Sequence, residues 1–179
     1  MKQLYLGINE QIRTECPLIK YRGMWNNQVN DLVDKDGQRV YSFPLPATFI
    51  EFLNDNEVDS VGGGVQIYDP CDIKIHIVHD FYDAQDGTME VNLQIFDIEA
   101  QVHAAMQLFS VKGADYGSGP LSRVSQERDY DHSNVYHSIP TYRTTWTDNS
   151  QSQPVGGYEI DPPLTLDLTV EILPKWQGQ

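Results

Sequence analysis

The sequence predicts an α+β domain, a mainly antiparallel mixed sheet with two helices packed on one of its faces. Two segments place apolar residues at helical spacing, and several others alternate apolar and polar residues with the period of a strand. The order reads α-β-β-β-β-α-β-β, followed by a linker and a last strand.

Each element has its own signal. Leu4, Ile8, Ile12 and Cys16 fall at successive i+4 steps among polar Asn9, Glu10, Gln11, Arg13 and Glu15, which predicts an amphipathic helix over 2–16 stopped at Pro17. Residues 19–25 alternate as a short strand, and Asp36-Gly37 is a turn signal. Pro44 and Pro46 lack an N–H and suit the entrance of a strand that occupies 48–53. Residues 54–64 read as an acidic loop closing on Gly62, Gly63 and Gly64, and 65–68 as a strand. Over 72–82, Ile73, Ile75, Ile77, His79 and Phe81 share one face while Lys74, His76, Val78 and Asp80 share the other, as in a half-buried strand central to a sheet.

After a turn at Asp86-Gly87, Val91, Ile95, Ile98, Val102, Ala105, Met106 and Phe109 recur at helical spacing. Lys112-Gly113 offers that helix a basic last turn and a C′ glycine. A glycine-rich turn at 116–120 precedes two polar strands, 121–129 and 135–147. Beyond a polar link, Leu164, Leu166, Leu168, Val170 and Ile172 alternate strictly with Thr165, Asp167, Thr169 and Glu171. Residues 1–147 thus read as one domain and 148–179 as a linker plus a C-terminal strand extension.

Composition narrows the function. The 179 residues include 40% hydrophobic and 11% aromatic side chains, enough for one folded core. Twelve basic against 26 acidic residues leave a charge of −14, which argues against sequence-specific nucleic-acid binding through neutralised phosphates. Polar Asn9, Glu10 and Gln11 follow the first residues where a signal peptide would be apolar, and no apolar run approaches about 18 residues. A soluble, unsecreted protein with no membrane partner is expected. Cys16 and Cys71 stand far apart without a CxxC and read as buried thiols.

Catalytic patterns are weak. His76, His79, His132 and His137 invite a metal reading, but on a strand His76 and His79 point to opposite faces. Gly62-Gly63-Gly64 is followed by a strand rather than by a helix N-terminus that would hold phosphate. Carboxylate pairs such as Asp80 and Asp83 are what 26 acids produce by chance, no GxSxG occurs, and Cys16 lies on an apolar helix stripe. The expectation is no enzyme, no cofactor and no metal site, with a metal-binding module or metal-dependent enzyme using His76, His132 and His137 as the alternative. Tyr136, Tyr142 and Trp146, interleaved with Arg143 and several threonines, suggest a polar and aromatic interface strand, against the plainer reading of core aromatics.

Several segments together resemble the tail terminator, or tail completion, proteins of long-tailed bacteriophages and prophages. They are the opening helix with Leu4, Ile8 and Ile12, the stretches Pro17-Leu18-Ile19-Lys20 and Trp25-Asn26-Asn27-Gln28, and the run from Phe43 through Pro44, Pro46, Thr48 and Phe49 to Phe52. The strand from Ile73 to Val78 and Phe96-Asp97-Ile98 leading to Val102 complete the pattern. The resemblance implies a virion assembly protein whose protomers form a ring, a homohexamer, that caps the tail tube, ends its polymerisation and presents the tail to the head–tail connector protein. The partners implied are further copies of the chain, the tail tube protein and the connector. The places implied are the head–tail junction of the virion and, during assembly, the host cytoplasm. An adaptor one layer nearer the capsid is the alternative within this class. For a ring that DNA traverses, acids in the loops, namely Asp55, Glu57, Asp59, Asp83 and Asp86, are candidates for a phosphate-repelling channel lining. Residues 148–179 have no counterpart in the resemblance.

Overall fold

The computed structural model describes residues 1–29, 43–53, 58–61, 63–80, 89–130 and 135–150. In chain order the elements are α1 (Lys2–Glu15), β1 (Tyr21–Met24), β2 (Ala47–Phe52), β3 (Val58–Val61), β4 (Val65–Asp80), α2 (Met89–Met106), β5 (Tyr116–Ser118), β6 (Ser122–Asp129) and β7 (Val135–Asp148). All seven strands belong to one sheet of order β1-β2-β4-β7-β5, with β3 also paired to β4 and β6 to β7. Only β1 and β2 run parallel. The α+β class and the mixed, mainly antiparallel sheet are therefore as expected.

The long hydrophobic alternation of β4 sets two faces. On one, Ile73, Ile75 and Ile77 pack with Leu4, Ile8 and Ile12 of α1 and with Ile95, Ile98 and Val102 of α2. Both helices cover this face, which is why their apolar residues fall at three- and four-residue steps. On the other face a smaller core joins Val29, Phe43, Leu45, Ala47, Phe49, Val78 and Val135, with Trp25 against it. No helix builds this second core among the described residues. Among the described residues its cover includes the segment after β1, held by Gln28 Nε2 donating to the Met24 carbonyl at 2.6 Å and by the Asn26 N–H donating to Gln28 Oε1 at 2.7 Å. Asn27 takes a positive φ of 56° in that turn, a conformation asparagine tolerates better than most residues.

Four local expectations need correction. The strands expected at 65–68 and 72–82 are one strand of 16 residues, β4, whose register with β7 shifts between Tyr68 and Cys71. The irregularity surrounds Pro70, which has no N–H to offer the ladder. Part of the expected acidic loop is β3, an exposed strand that needs no apolar alternation because β4 alone pairs it. Residues 116–118 of the expected turn form β5 against β7. Helix α2 ends at Met106, well before Gly113, because Leu108 itself adopts the left-handed conformation (φ 62°). Its N–H donates to the Leu121 carbonyl at 2.9 Å, and the Leu121 N–H donates back to the Phe109 carbonyl at 2.8 Å, so the chain end of the helix is tied to the segment before β6. The turns at Asp36-Gly37 and Asp86-Gly87, together with Phe81 and the strand expected at 164–172, lie outside the described residues.

Ile8 is fully buried between α1 and the sheet. Ile8→Ala is expected to lower stability by about 2–5 kcal/mol in equilibrium urea unfolding, without changing the far-UV circular dichroism of the native state.

Candidate functional site

The sheet register sets four ionisable side chains in a row across four strands. Glu51 of β2 stands opposite Lys74 and so lies diagonal to His76 of β4. His137 of β7 stands opposite Val78, again diagonal to His76, and Asp129 of β6 stands opposite His137. The side chains meet accordingly. Glu51 Oε2 is 2.9 Å from His76 Nε2, His76 Nδ1 is 2.9 Å from His137 Nε2, and His137 Nδ1 is 3.3 Å from Asp129 Oδ2. Both imidazoles are buried, at 3% and 2% exposure, while the carboxylates reach the surface.

The row lies on the face of the smaller core. Trp25 stacks on His76 with ring centroids 3.7 Å apart and planes 7° apart, and the Trp25 backbone N–H donates to the Ile50 carbonyl at 2.9 Å. Burial pushes the His76 imidazole down to about 4; Lys74 on the same strand adds to this, and Asp129 and Glu127 oppose it. Lys74 is itself 3.6 Å from Glu127.

His76 and His79 do point to opposite faces. His79 lies against α2, with Nε2 3.3 Å from Gln94 Oε1 and Nδ1 2.6 Å from the Asp80 carbonyl. Of the alternative metal set, His132 lies outside the described residues. His76 and His137 meet nitrogen to nitrogen at hydrogen-bond distance, so the lone pair that would bind a metal is engaged by the neighbouring ring. Among the described residues no three His, Cys, Asp or Glu side chains form a metal-binding group.

The aromatics of β7 fall on the helix-covered face. Tyr136, Tyr142 and Trp146 are paired with His79, Ile73 and Tyr68, and Tyr142 and Trp146 are each only 1% exposed. Trp146 stacks on Tyr116 at 5.6 Å, and the Tyr142 hydroxyl lies 3.4 Å from His103 Nδ1. Within the protomer these two are core residues, the plainer of the two readings, because Tyr142 shares the parity of Ile73 opposite it and Trp146 keeps that parity along β7. Arg143 alone of the set is exposed, in a two-pronged pair with Asp72 at 2.7 Å on both arms. Tyr136 is half-buried, and burial, with Glu99 nearby, pushes its hydroxyl up to about 12.

Next to Tyr136 lies a surface that the sequence reading missed. Met89, Leu93 and Phe96 follow one another at i, i+4 and i+7 on the outer side of α2, exposed by 65%, 50% and 46%. Arg128 of β6 covers the rings of Phe96 and Tyr136 at 5.6 and 5.4 Å, and its guanidinium is 3.8 Å from Glu99. Tyr130 projects just beyond, and every residue from Ser122 to Arg128 is exposed. The signal was present in α2, whose apolar residues make a second stripe besides the core one. Of the proposed channel acids, Asp59 lies on exposed β3, while Asp55, Glu57, Asp83 and Asp86 lie outside the described residues.

No described helix is long and apolar enough to cross a membrane. No protein-family model matches the chain, and a search of curated proteins finds no match either.

Both cysteines are buried, and burial, reinforced by Glu15 and Asp72 respectively, pushes the Cys16 and Cys71 thiols up to about 11. Because the thiolate is the reacting form, both should resist iodoacetamide at pH 8 in the native protein and react fully in urea, as read by intact mass.

Proposed function

We propose that the chain is a structural assembly protein of a long-tailed phage, a tail terminator whose copies form a ring on the finished tail tube, with the tube protein and the head–tail connector as its axial partners. One observation supports this reading most. Among the described residues the sheet ends in β1 on one side and in β5 and β6 on the other, so a protomer carries two unlike edges. A ring is built from such head-to-tail contacts, in which unlike patches of successive copies meet and the rotation closes. The occupant proposed for the α2–β6 surface is therefore a second copy of the chain. Its composition suits that role, since Arg128, Phe96, Tyr130 and Leu93 combine aromatic, arginine and aliphatic groups of the kind that anchor interfaces.

In this arrangement the acidic character of the chain serves DNA passage, since a channel that repels phosphate does not retain the duplex. Asp59, on an exposed strand, is the described residue assigned to it. The protein would assemble in the host cytoplasm and remain at the head–tail junction of the virion.

Native mass measurement and negative-stain imaging, with and without purified tail tubes, test the reading. Rings on tube ends support it, and a chain that stays monomeric at high concentration and leaves tube ends uncapped overturns it. Leu93→Glu places a charge in the proposed contact and is expected to abolish rings while changing monomer stability by no more than about 0.5 kcal/mol.

A further inference from the structure

Counting protons in the row Glu51–His76–His137–Asp129 leads beyond the packing of two histidines. Its three contacts, between Glu51 and His76, between the two imidazoles, and between His137 and Asp129, need three protons. Each neutral imidazole carries one proton, so two neutral rings supply two. With both carboxylates ionised, one contact would then set lone pair against lone pair in a site where the imidazoles are buried, an arrangement with a high electrostatic cost.

We infer that this four-strand row is a proton-binding site, holding at neutral pH one proton more than two neutral imidazoles carry, with the added charge on His137. His137 then donates Nδ1–H to Asp129 and Nε2–H to His76 Nδ1, and neutral His76 donates Nε2–H to Glu51. Every contact is satisfied.

The surroundings favour that placement. From β4, Lys74, His76 and Asp80 share the sheet face of His137; from β6 come Asp129 and Glu127, and from β2 comes Glu51. Further along, Asp72 and Arg143 engage one another. Lys74 is matched by Glu127 at 3.6 Å, and the Asp129 carboxylate lies 3.3 Å from His137 Nδ1, where it favours a cation on that ring. Lys74 stands two positions from His76 on the same strand face and disfavours a cation there, in line with the lowered affinity of His76 for a proton. Trp25 contributes its ring face, stacked on His76, so the protonation of the row is coupled to the segment that covers the smaller core.

The two imidazoles should therefore titrate as a pair in two well-separated steps rather than together near 6.5. Between about 4 and 6.5 the unfolded chain binds two protons on these residues and the folded row one, so stability rises with pH. Above 6.5 the unfolded residues hold none while the folded row keeps its proton, so stability falls until that proton leaves. The contribution of the row is greatest near pH 6.5.

The test is a ¹⁵N titration of the histidine side chains in the full chain. At pH 7 it should show both His137 nitrogens protonated and His76 protonated on Nε2 alone, with the pair losing a proton only at a pH above 6.5. Asp129→Asn, at a partly exposed position, should move that upper step down by about one pH unit or more while the chain stays folded. Two imidazoles that are both neutral at pH 7, an upper step unmoved by Asp129→Asn, or stoichiometric uptake of zinc by the untagged chain would each overturn the inference. The result is independent of ring formation.

Discussion

Strand β4 is the constraint from which the rest of the molecule follows. It pairs with β2 and β3 along one side and with β7 along the other, so it has no free edge over most of its length. From Ile75 to His79 every residue of β4 is buried, so both of its faces are covered there. Odd-numbered isoleucines demand the two helices, and Val78 and His76 demand a second cover. A one-residue slip of β4 would exchange those faces and bury Lys74 and Asp72 beneath the helices. The register is thereby specified, and with it the placement of Glu51, His76, His137 and Asp129 in one line.

Much of this was legible in the residues. The stripe Leu4-Ile8-Ile12-Cys16, the core stripe of α2 and the alternation of β4 each depend on local periodicity, and each forms the element that its spacing implies. What escaped depends on partners distant in sequence. Nothing within 58–61 marks β3 as a strand, since its four exposed residues carry no alternation and are held by β4 alone. The stop of α2 at Leu108 reflects two hydrogen bonds with Leu121, contacts that override the glycine a few positions on. The His76–His137 contact spans 61 residues and exists only once β4 and β7 are in register. Correct facing of His76 and His79 could exclude one histidine pair but could not nominate another. The aromatics of β7 were visible as a set, and their side of the sheet was decided by Ile73 across the ladder.

The two surfaces of the sheet divide chemistry as well as packing. Beneath the helices the interior is almost wholly apolar, relieved by the Tyr142 hydroxyl near His103 and by His79 near Gln94. Across the sheet, the smaller core shares its space with buried imidazoles whose partners are carboxylates at the surface. Such a polar row contributes directionality that an apolar core lacks, because each ring must hold a given orientation to meet both neighbours. The outer side of α2 and the edge strand β6 meet the Tyr136–Arg128 contact on the helix side, away from this row.

Unequal covers have a kinetic consequence. Among the described residues, the helix side is closed by two elements of 14 and 18 residues that also contact one another, whereas the Trp25 side is closed by a short turn and the segment entering β2. Native-state opening follows the boundaries of such cooperative units, and the unit with less buried apolar surface opens first. Amide exchange at Trp25 and across the entrance of β2 is therefore governed by excursions smaller than global unfolding, while the centre of β4 exchanges only when the whole sheet comes apart. The protein thus has a built-in order of undoing, in which the histidines meet water while the helices are still in place.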